Sequence, residues 1–247
     1  MSRPWKTEAV VLRSIRFGEA DRVLHLFTLE RGRVGAIAKG ARKTRSRFGA
    51  RLEPFSHVEL LLREGAGELH LVTGADLVDP HDASRTDAYR MAVGHIGLEA
   101  VLRLFFEGDA SPRAFAGLTR FLELLDVTKA PSPAQPAVDP LVLGFQLKLL
   151  WLAGYLPHVG GCAACGAAAP LVGFSAAAGG GVCASCRAGS VPLAAEAFQA
   201  IAGLLERPLS DAEKAAGSER ARRDALRAIE SLYEFHGGFR LKTLARA

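Results

Sequence analysis

Cys162-Ala163-Ala164-Cys165 and Cys183-Ala184-Ser185-Cys186 contain all four cysteines of the chain, as two CxxC pairs with seventeen residues between them. This is the spacing of a four-thiolate zinc ribbon, in which two knuckles each supply two sulfurs and the intervening segment folds back to close a tetrahedron. Pro170–Ser175 and Val182 are suited to a hairpin, with a loose glycine-rich tip at Ala176–Gly181. Two disulfides, a redox CxxC and four unrelated buried thiols are the competing readings. Disulfides suit short secreted domains, and the polar start Met1–Glu8 has no signal-peptide apolar region. A redox CxxC belongs after a strand in a βαβ unit and needs no twin. Four protein thiolates leave no open position for water, so the expected zinc is structural, one per chain, on Cys162, Cys165, Cys183 and Cys186.

On either side of the ribbon the pattern is helical. Tyr89, Met91, Val93, Ile96, Leu98, Val101, Leu102, Leu104 and Phe105 form one wide apolar face. Gly108–Pro112 stops that helix and starts the next, whose apolar side holds Phe115, Leu118, Phe121, Leu122, Leu124 and Leu125. His81–Asp87 reads as a helix entrance with Asp and Ser caps, and Lys129–Pro136 as a proline-rich connector. Leu141–Ala153 is apolar almost all round and is expected at the centre of a bundle. Beyond the ribbon, helices are expected from about Val191 to Leu205 and from Arg220 to Phe235, the latter burying Leu226, Ile229, Leu232, Tyr233 and Phe235.

The first eighty residues read as strands. Thr7–Arg16, Arg22–Leu29, Arg33–Lys39, His57–Arg63 and Leu69–Thr73 running into Ala75–Val78 are short, β-branched and separated by tight turns such as Gly65–Gly67. Five such strands, with the longest loop between the third and fourth, suit a small closed barrel of OB type, and an SH3-like barrel has similar economy. The expected class is therefore α+β: an OB-type barrel over 1–80, then an α-helical domain over 81–247 with the zinc finger inserted at about 160–188.

The net charge of +5 is unevenly spread. Residues 1–80 hold 14 basic and 10 acidic side chains, 81–160 hold 7 and 8, and 161–247 hold 10 and 8. From Arg31 to Leu52 there are eight cations and no acid. Lys39, Arg42, Lys43, Arg45, Arg47 and Arg51 crowd together there with Phe48, which suits a flexible loop following a phosphate backbone with an aromatic available for stacking. A solvated charge run is the plainer reading. Such cations would give affinity without sequence preference. The group Arg220, Arg222, Arg223, Arg227, with Arg240, Lys242 and Arg246 beyond it, is interleaved with Glu219, Asp224 and Glu230, and reads as a solvated helix face with intrahelical pairs.

Asp76, Asp79, His81, Asp82 and Asp87 could hold Mg²⁺ for a nuclease, but capping at a strand exit explains them without chemistry. His158, four residues before Cys162, is expected at the surface or supporting the metal site. The chain has no GxxxxGK[ST], GxSxG, HExxH or strand-linked GxGxxG motif. No run of some eighteen apolar residues is present to span a membrane, and a cytoplasmic protein is expected.

Thr7-Glu-Ala-Val-Val-Leu12, Gly18-Glu-Ala-Asp-Arg22, Leu26-Phe-Thr28, Gly32, Ala38-Lys-Gly-Ala-Arg42, Leu52-Glu-Pro-Phe55 and Leu152-Ala-Gly-Tyr-Leu-Pro157 leading into a CxxC resemble the bacterial RecO recombination-mediator family across essentially the whole chain. The resemblance implies an N-terminal OB barrel and a helical domain that carries a zinc finger in many members. It also implies a non-enzymatic role in the RecFOR pathway of recombinational repair, close to the nucleoid. Members bind single- and double-stranded DNA and anneal complementary strands. With RecR they help RecA displace single-strand-binding protein, whose acidic C-terminal tail they contact. On this chain the DNA-binding role falls on the barrel and Lys39 to Arg51. For the acidic tail, Arg120, Lys148 and Arg220–Arg227 are candidates. The alternatives are an adaptor whose main task is to bind RecR, and an Mg²⁺-dependent nuclease.

Overall fold

The computed structural model describes residues 3–65, 67–128 and 135–244. Ala66 of the expected Gly65–Gly67 turn, residues 129–134 of the proline-rich connector and Arg246 lie outside the described residues. The chain divides into two compact units, Met1–Gly94 with Val101–Val127 and His95–Ala100 with Thr128–Ala247.

In the first unit, β1 (Trp5–Phe17), β2 (Asp21–Thr28), β3 (Gly32–Ala38), β4 (His57–Arg63) and β5 (His70–Asp79) close into a barrel in the order β1-β2-β3-β5-β4. β1 pairs with both β2 and β4, and the closure between β3 and β5 is parallel, through Ala36↔His70 and Ile37↔Leu71. This is the Greek-key connection of an OB-type barrel. Period-two alternation sends Ala9, Val11, Leu24, Leu26, Val34, Ala36, Ala38, Val58, Leu60, Leu62 and Val72 inward. The two segments expected at 69–73 and 75–78 form one strand. The register shift between Leu61 and Leu62 skips Thr73, so a bulge rather than a break interrupts the pattern.

The outer face of one end of the barrel is covered by helices. α1 (Asp82–Thr86), α2 (Ala88–Leu104) and α3 (Pro112–Val127) follow β5. Phe27, fully buried, lies with its ring centroid 5.3 Å from Phe105 and 6.3 Å from Phe115. Arg33 donates to the Leu102 carbonyl and pairs with Glu107 at 3.6 Å. The expected entrance caps act one helix later: Asp87 accepts from the Arg90 amide at the start of α2, 2.8 Å away. The start of α1 is instead served by Asp126 of α3, which accepts from the Ser84 amide at 2.8 Å.

The second unit is built on α4 (Pro140–Leu152), buried at ten of its thirteen positions as its uniform apolarity requires. Asp139 caps it by accepting from the Leu141 amide at 2.8 Å, with Pro140 at the first helical position. A small sheet follows, β6 (Leu171–Ser175), β7 (Gly180–Cys183) and β8 (Val191–Pro192), in the order β7-β6-β8. α5 (Ala195–Glu206), α6 (Ala212–Ala215) and α7 (Glu219–Leu232) complete the unit, and α7 runs on into a π turn at Tyr233–Gly237. No helix among the described residues is long and apolar enough to cross a membrane.

Candidate metal centre and nucleic-acid interface

The two knuckles come from different local structures. Cys162 and Cys165 sit in the turn after the loop leaving α4, Cys183 ends β7, and Cys186 closes a 3-10 turn over Ala184–Cys186. The hairpin between them folds back as the spacing requires, bringing the four sulfurs within 4.8 Å of one another. Cys165 Sγ and Cys183 Sγ are 3.9 Å apart, and all four thiols are free. Cys162 is buried, and its sulfur accepts from the Cys183 amide at 3.4 Å. That bond first, and the Cys165 amide next, bring the Cys162 thiol down to about 6. The opposite happens at Cys186, pushed up to about 12 by the neighbouring sulfurs of Cys165, Cys183 and Cys162. Four sulfurs this close cannot all ionise unaided, and a cation among them removes the conflict. The donor set fits a metal ion held by four thiolates.

The glycine-rich tip is not loose. His158 donates its amide to the Gly179 carbonyl at 2.9 Å and accepts from the Gly181 amide at 2.8 Å. Gly180 lies against the His158 backbone, where a β-carbon would fall 2.0 Å from the carbonyl oxygen. His158 thus supports the knuckle through its backbone, and its side chain stays outside the sulfur cluster. Arg187 beside Cys186 is exposed.

The basic segment leaves β3 at Lys39 and reaches β4 through a 3-10 turn, Gly49–Leu52. It is tethered to the β1–β2 turn. The Arg42 amide donates to the Ala20 carbonyl at 2.8 Å, its guanidinium to the Gly18 and Glu19 carbonyls at 3.2 and 3.1 Å, and the Gly40 amide to Asp21 at 2.8 Å. Phe48, expected to be available for stacking, is instead 1% exposed and plugs the barrel core with Leu52. Hydrophobic closure of the barrel end outweighs the polar composition of the segment around it. The Arg47 guanidinium covers the ring at 4.8 Å. Lys39, Arg42, Lys43, Arg45, Arg47 and Arg51 are all exposed, and none forms an ion pair among the described residues. Arg42, Arg47 and Arg51 give hydrogen bonds only to backbone carbonyls.

The other basic groups are differently placed. Arg120 pairs with Glu123 at 2.9 Å in the first unit. In the second, Lys148 donates to the Leu205 carbonyl at 2.8 Å, and burial pushes its amine below the usual lysine range. On α7, Arg223 pairs with Glu219, Arg227 with Asp224 at 3.1 Å, and Arg222 with Glu213 at 3.8 Å. The Arg223 and Arg227 pairs are the intrahelical ones expected of that face, whereas Arg222 is half-buried and reaches Glu213 of α6.

The acidic group assembles differently from its sequence order. Asp79 and His81 come together with Asp126, while Asp82 faces Arg85 and Asp87 caps α2. Both Asp126 oxygens are engaged: Oδ2 with His81 Nδ1 at 2.7 Å, Oδ1 with the Ser84 amide and hydroxyl at 2.8 and 2.6 Å. Asp126 lies 45 residues from His81, in the last turn of α3, and no local signal marks it.

Comparison with known proteins adds an independent line. Residues 1–81 match the family model described as "Recombination protein O N terminal", and residues 85–245 match "Recombination protein O C terminal". A protein named DNA repair protein RecO from Rubrobacter xylanophilus is 37% identical over 233 residues, covering 91% of this chain and 90% of that protein. One of the same name from Anaeromyxobacter sp. (strain K) is 36% identical over 244 residues, covering 96% and 92%.

Proposed function

The chain belongs to the recombination protein O family of DNA repair proteins, and on that premise we propose that it is a DNA-binding mediator that holds single and double strands through the loop Lys39–Arg51 and anneals complementary strands. The observation that carries this reading is the set of six exposed cations on that loop, with no acidic partner among the described residues. None is neutralised by a carboxylate there, so each keeps a charge that can displace a counterion from a phosphate. If all six engage, log K should fall against log salt with a slope of about −5 on duplex and about −4 on a single strand. Neutralised phosphates also lower the repulsion between two strands held on one protein, which is what annealing requires. The barrel over 1–80 is the DNA-binding module in this reading, and no catalytic step is assigned to the chain.

In the second unit, Cys162, Cys165, Cys183 and Cys186 would hold one structural Zn²⁺, which closes the knuckle and leaves no position for a substrate. The partners in this reading are RecR, the acidic tail of single-strand-binding protein and, through them, RecA. The deciding experiment is strand annealing across a salt series with and without RecR. Annealing by the chain alone that fades with salt is expected. Annealing that needs RecR at every salt concentration would reassign the chain as an adaptor.

A further inference from the structure

The four sulfurs that close the ribbon are unequally protected. Cys162 and Cys183 are buried, Cys186 is half-buried, and Cys165 is exposed. Ala164, Gly166, Ala167 and Ala168 around Cys165 are exposed as well, and none has a side chain larger than a methyl group. From Gly161 to Ser190 the only charged side chain, the cysteines aside, is Arg187, so no carboxylate of this segment repels an electron-rich reagent. One thiolate of an otherwise shielded set is open to a small oxidant.

The sulfur in contact with it belongs to the other knuckle. All four sulfurs lie within 4.8 Å of one another, and Cys165 Sγ is 3.9 Å from Cys183 Sγ. A disulfide needs about 2.05 Å, so an approach of about 2 Å joins them. The backbones already run together there: two residues before each cysteine, the Ala163 amide donates to the Gly181 carbonyl at 2.8 Å. Cys162 is a poorer partner. It is buried and accepts the Cys183 amide at 3.4 Å, and turning its sulfur to Cys165 strands that donor.

We propose that Cys165 is an oxidation site: a hydroperoxide oxidises its sulfur, and Cys183 resolves the product as a disulfide that releases the metal. This rests on the four-thiolate metal reading given above and adds to it the sulfur at which the site opens. In the first step the Cys165 thiolate attacks hydrogen peroxide. An S–O bond forms, the O–O bond breaks, and the leaving hydroxide takes up a proton, giving a sulfenic acid and water. In the second step the Cys183 thiolate attacks that sulfur. The S–S bond forms, the S–O bond breaks, and the departing hydroxide is protonated to a second water. Two thiolates, one peroxide and two protons thus give one disulfide and two waters, with sulfur oxidised and peroxide oxygen reduced. Two of the four donors are withdrawn, and the remaining pair does not hold a tetrahedral ion. The new bond ties the first knuckle to the end of β7, so the hairpin stays closed and a dithiol reductant with fresh Zn²⁺ reverses the change.

The test uses the full chain purified with its metal. Limiting iodoacetamide followed by peptide mapping should label Cys165 ahead of the other three cysteines. Hydrogen peroxide added with a chromogenic zinc chelator should release one Zn²⁺ per chain and form one disulfide. Chymotryptic cleavage after Leu171 or Phe174 separates the two knuckles. The unreduced digest should therefore contain a linked peptide pair, with fragmentation placing the bond between Cys165 and Cys183. Dithiothreitol and Zn²⁺ should then restore the parent melting temperature. Preferred labelling of another cysteine, a bond within one knuckle or to Cys186, or zinc release with all four thiols still reduced would overturn the proposal. A chain purified without metal would instead remove the metal reading, and this proposal with it.

Discussion

The carbonyl oxygen of His158 lies 2.0 Å from the point that a β-carbon on Gly180 would occupy. The loop leaving α4 and the hairpin bearing Cys183 are therefore held in contact at a position where only glycine fits. A Gly180→Ala substitution must separate the two backbones, breaking the bonds from the His158 amide to Gly179 and from the Gly181 amide to His158. We expect this variant to retain less metal after dialysis and to melt at a lower temperature, while Ala184→Ser, on an exposed neighbour, does neither. Equal metal retention in both variants would show that the contact is incidental.

The sulfur cluster makes a second prediction. Purified protein should contain one zinc per chain, and a strong chelator should lower the melting temperature by about 10 °C or more, because ligation contributes to folding of the surrounding hairpin. Cys162→Ser should have a larger effect than Cys186→Ser, since Cys162 is buried and also accepts the Cys183 amide. A chelator that leaves both metal content and melting unchanged in protein found to contain no zinc would refute the structural-metal assignment.

Phe48 separates what the sequence could specify from what only folding could. The strands were readable because alternation over Ala9, Val11, Leu24, Leu26 and Leu60 is a local signal, whereas the parallel closure of β3 on β5 is a long-range pairing that alternation does not encode. The sulfur cluster was readable because CxxC spacing constrains geometry directly. Phe48 stands among Arg45, Ser46, Arg47 and Gly49, and its burial follows from the shape of the barrel end, which composition does not encode. Asp126 was hidden for the same reason: its partners His81 and Ser84 are brought to it by the packing of α1 on α3. Phe48→Ala should therefore cost about 3 to 5 kcal/mol of stability, measured by denaturant unfolding. A cost below about 1 kcal/mol would mean that the ring is not part of the core.

Asp126 offers a comparison between two substitutions. Asp126→Ala strands His81 Nδ1 and the Ser84 amide in a mostly buried site, at about 2 to 3 kcal/mol. Asp126→Asn keeps an oxygen for Ser84 and an amide that can face His81, and should cost less. If the Asp79, His81 and Asp126 group held Mg²⁺ for cleavage, DNA incubated with Mg²⁺ would be cut by the parent and not by Asp126→Asn. We expect intact DNA in both cases, since both Asp126 oxygens already have protein partners.

The basic loop allows its charges to be tested apart from its structure. Arg42, Arg47 and Arg51 bond to backbone carbonyls, so removing them disturbs the turn as well as the field. Lys39, Lys43 and Arg45 are exposed and make no side-chain hydrogen bond among the described residues, so their replacement should leave the fold intact. The triple variant Lys39→Ala, Lys43→Ala, Arg45→Ala should melt within a degree or two of the parent, because exposed unpaired charges add little to stability. Its DNA affinity should fall on single strand and duplex alike, and the slope of log K against log salt should shrink by about 2 to 3. Binding of the parent with a slope near zero would show that phosphates are not being neutralised. A parent slope that survives unchanged in the variant would move the contact away from this loop.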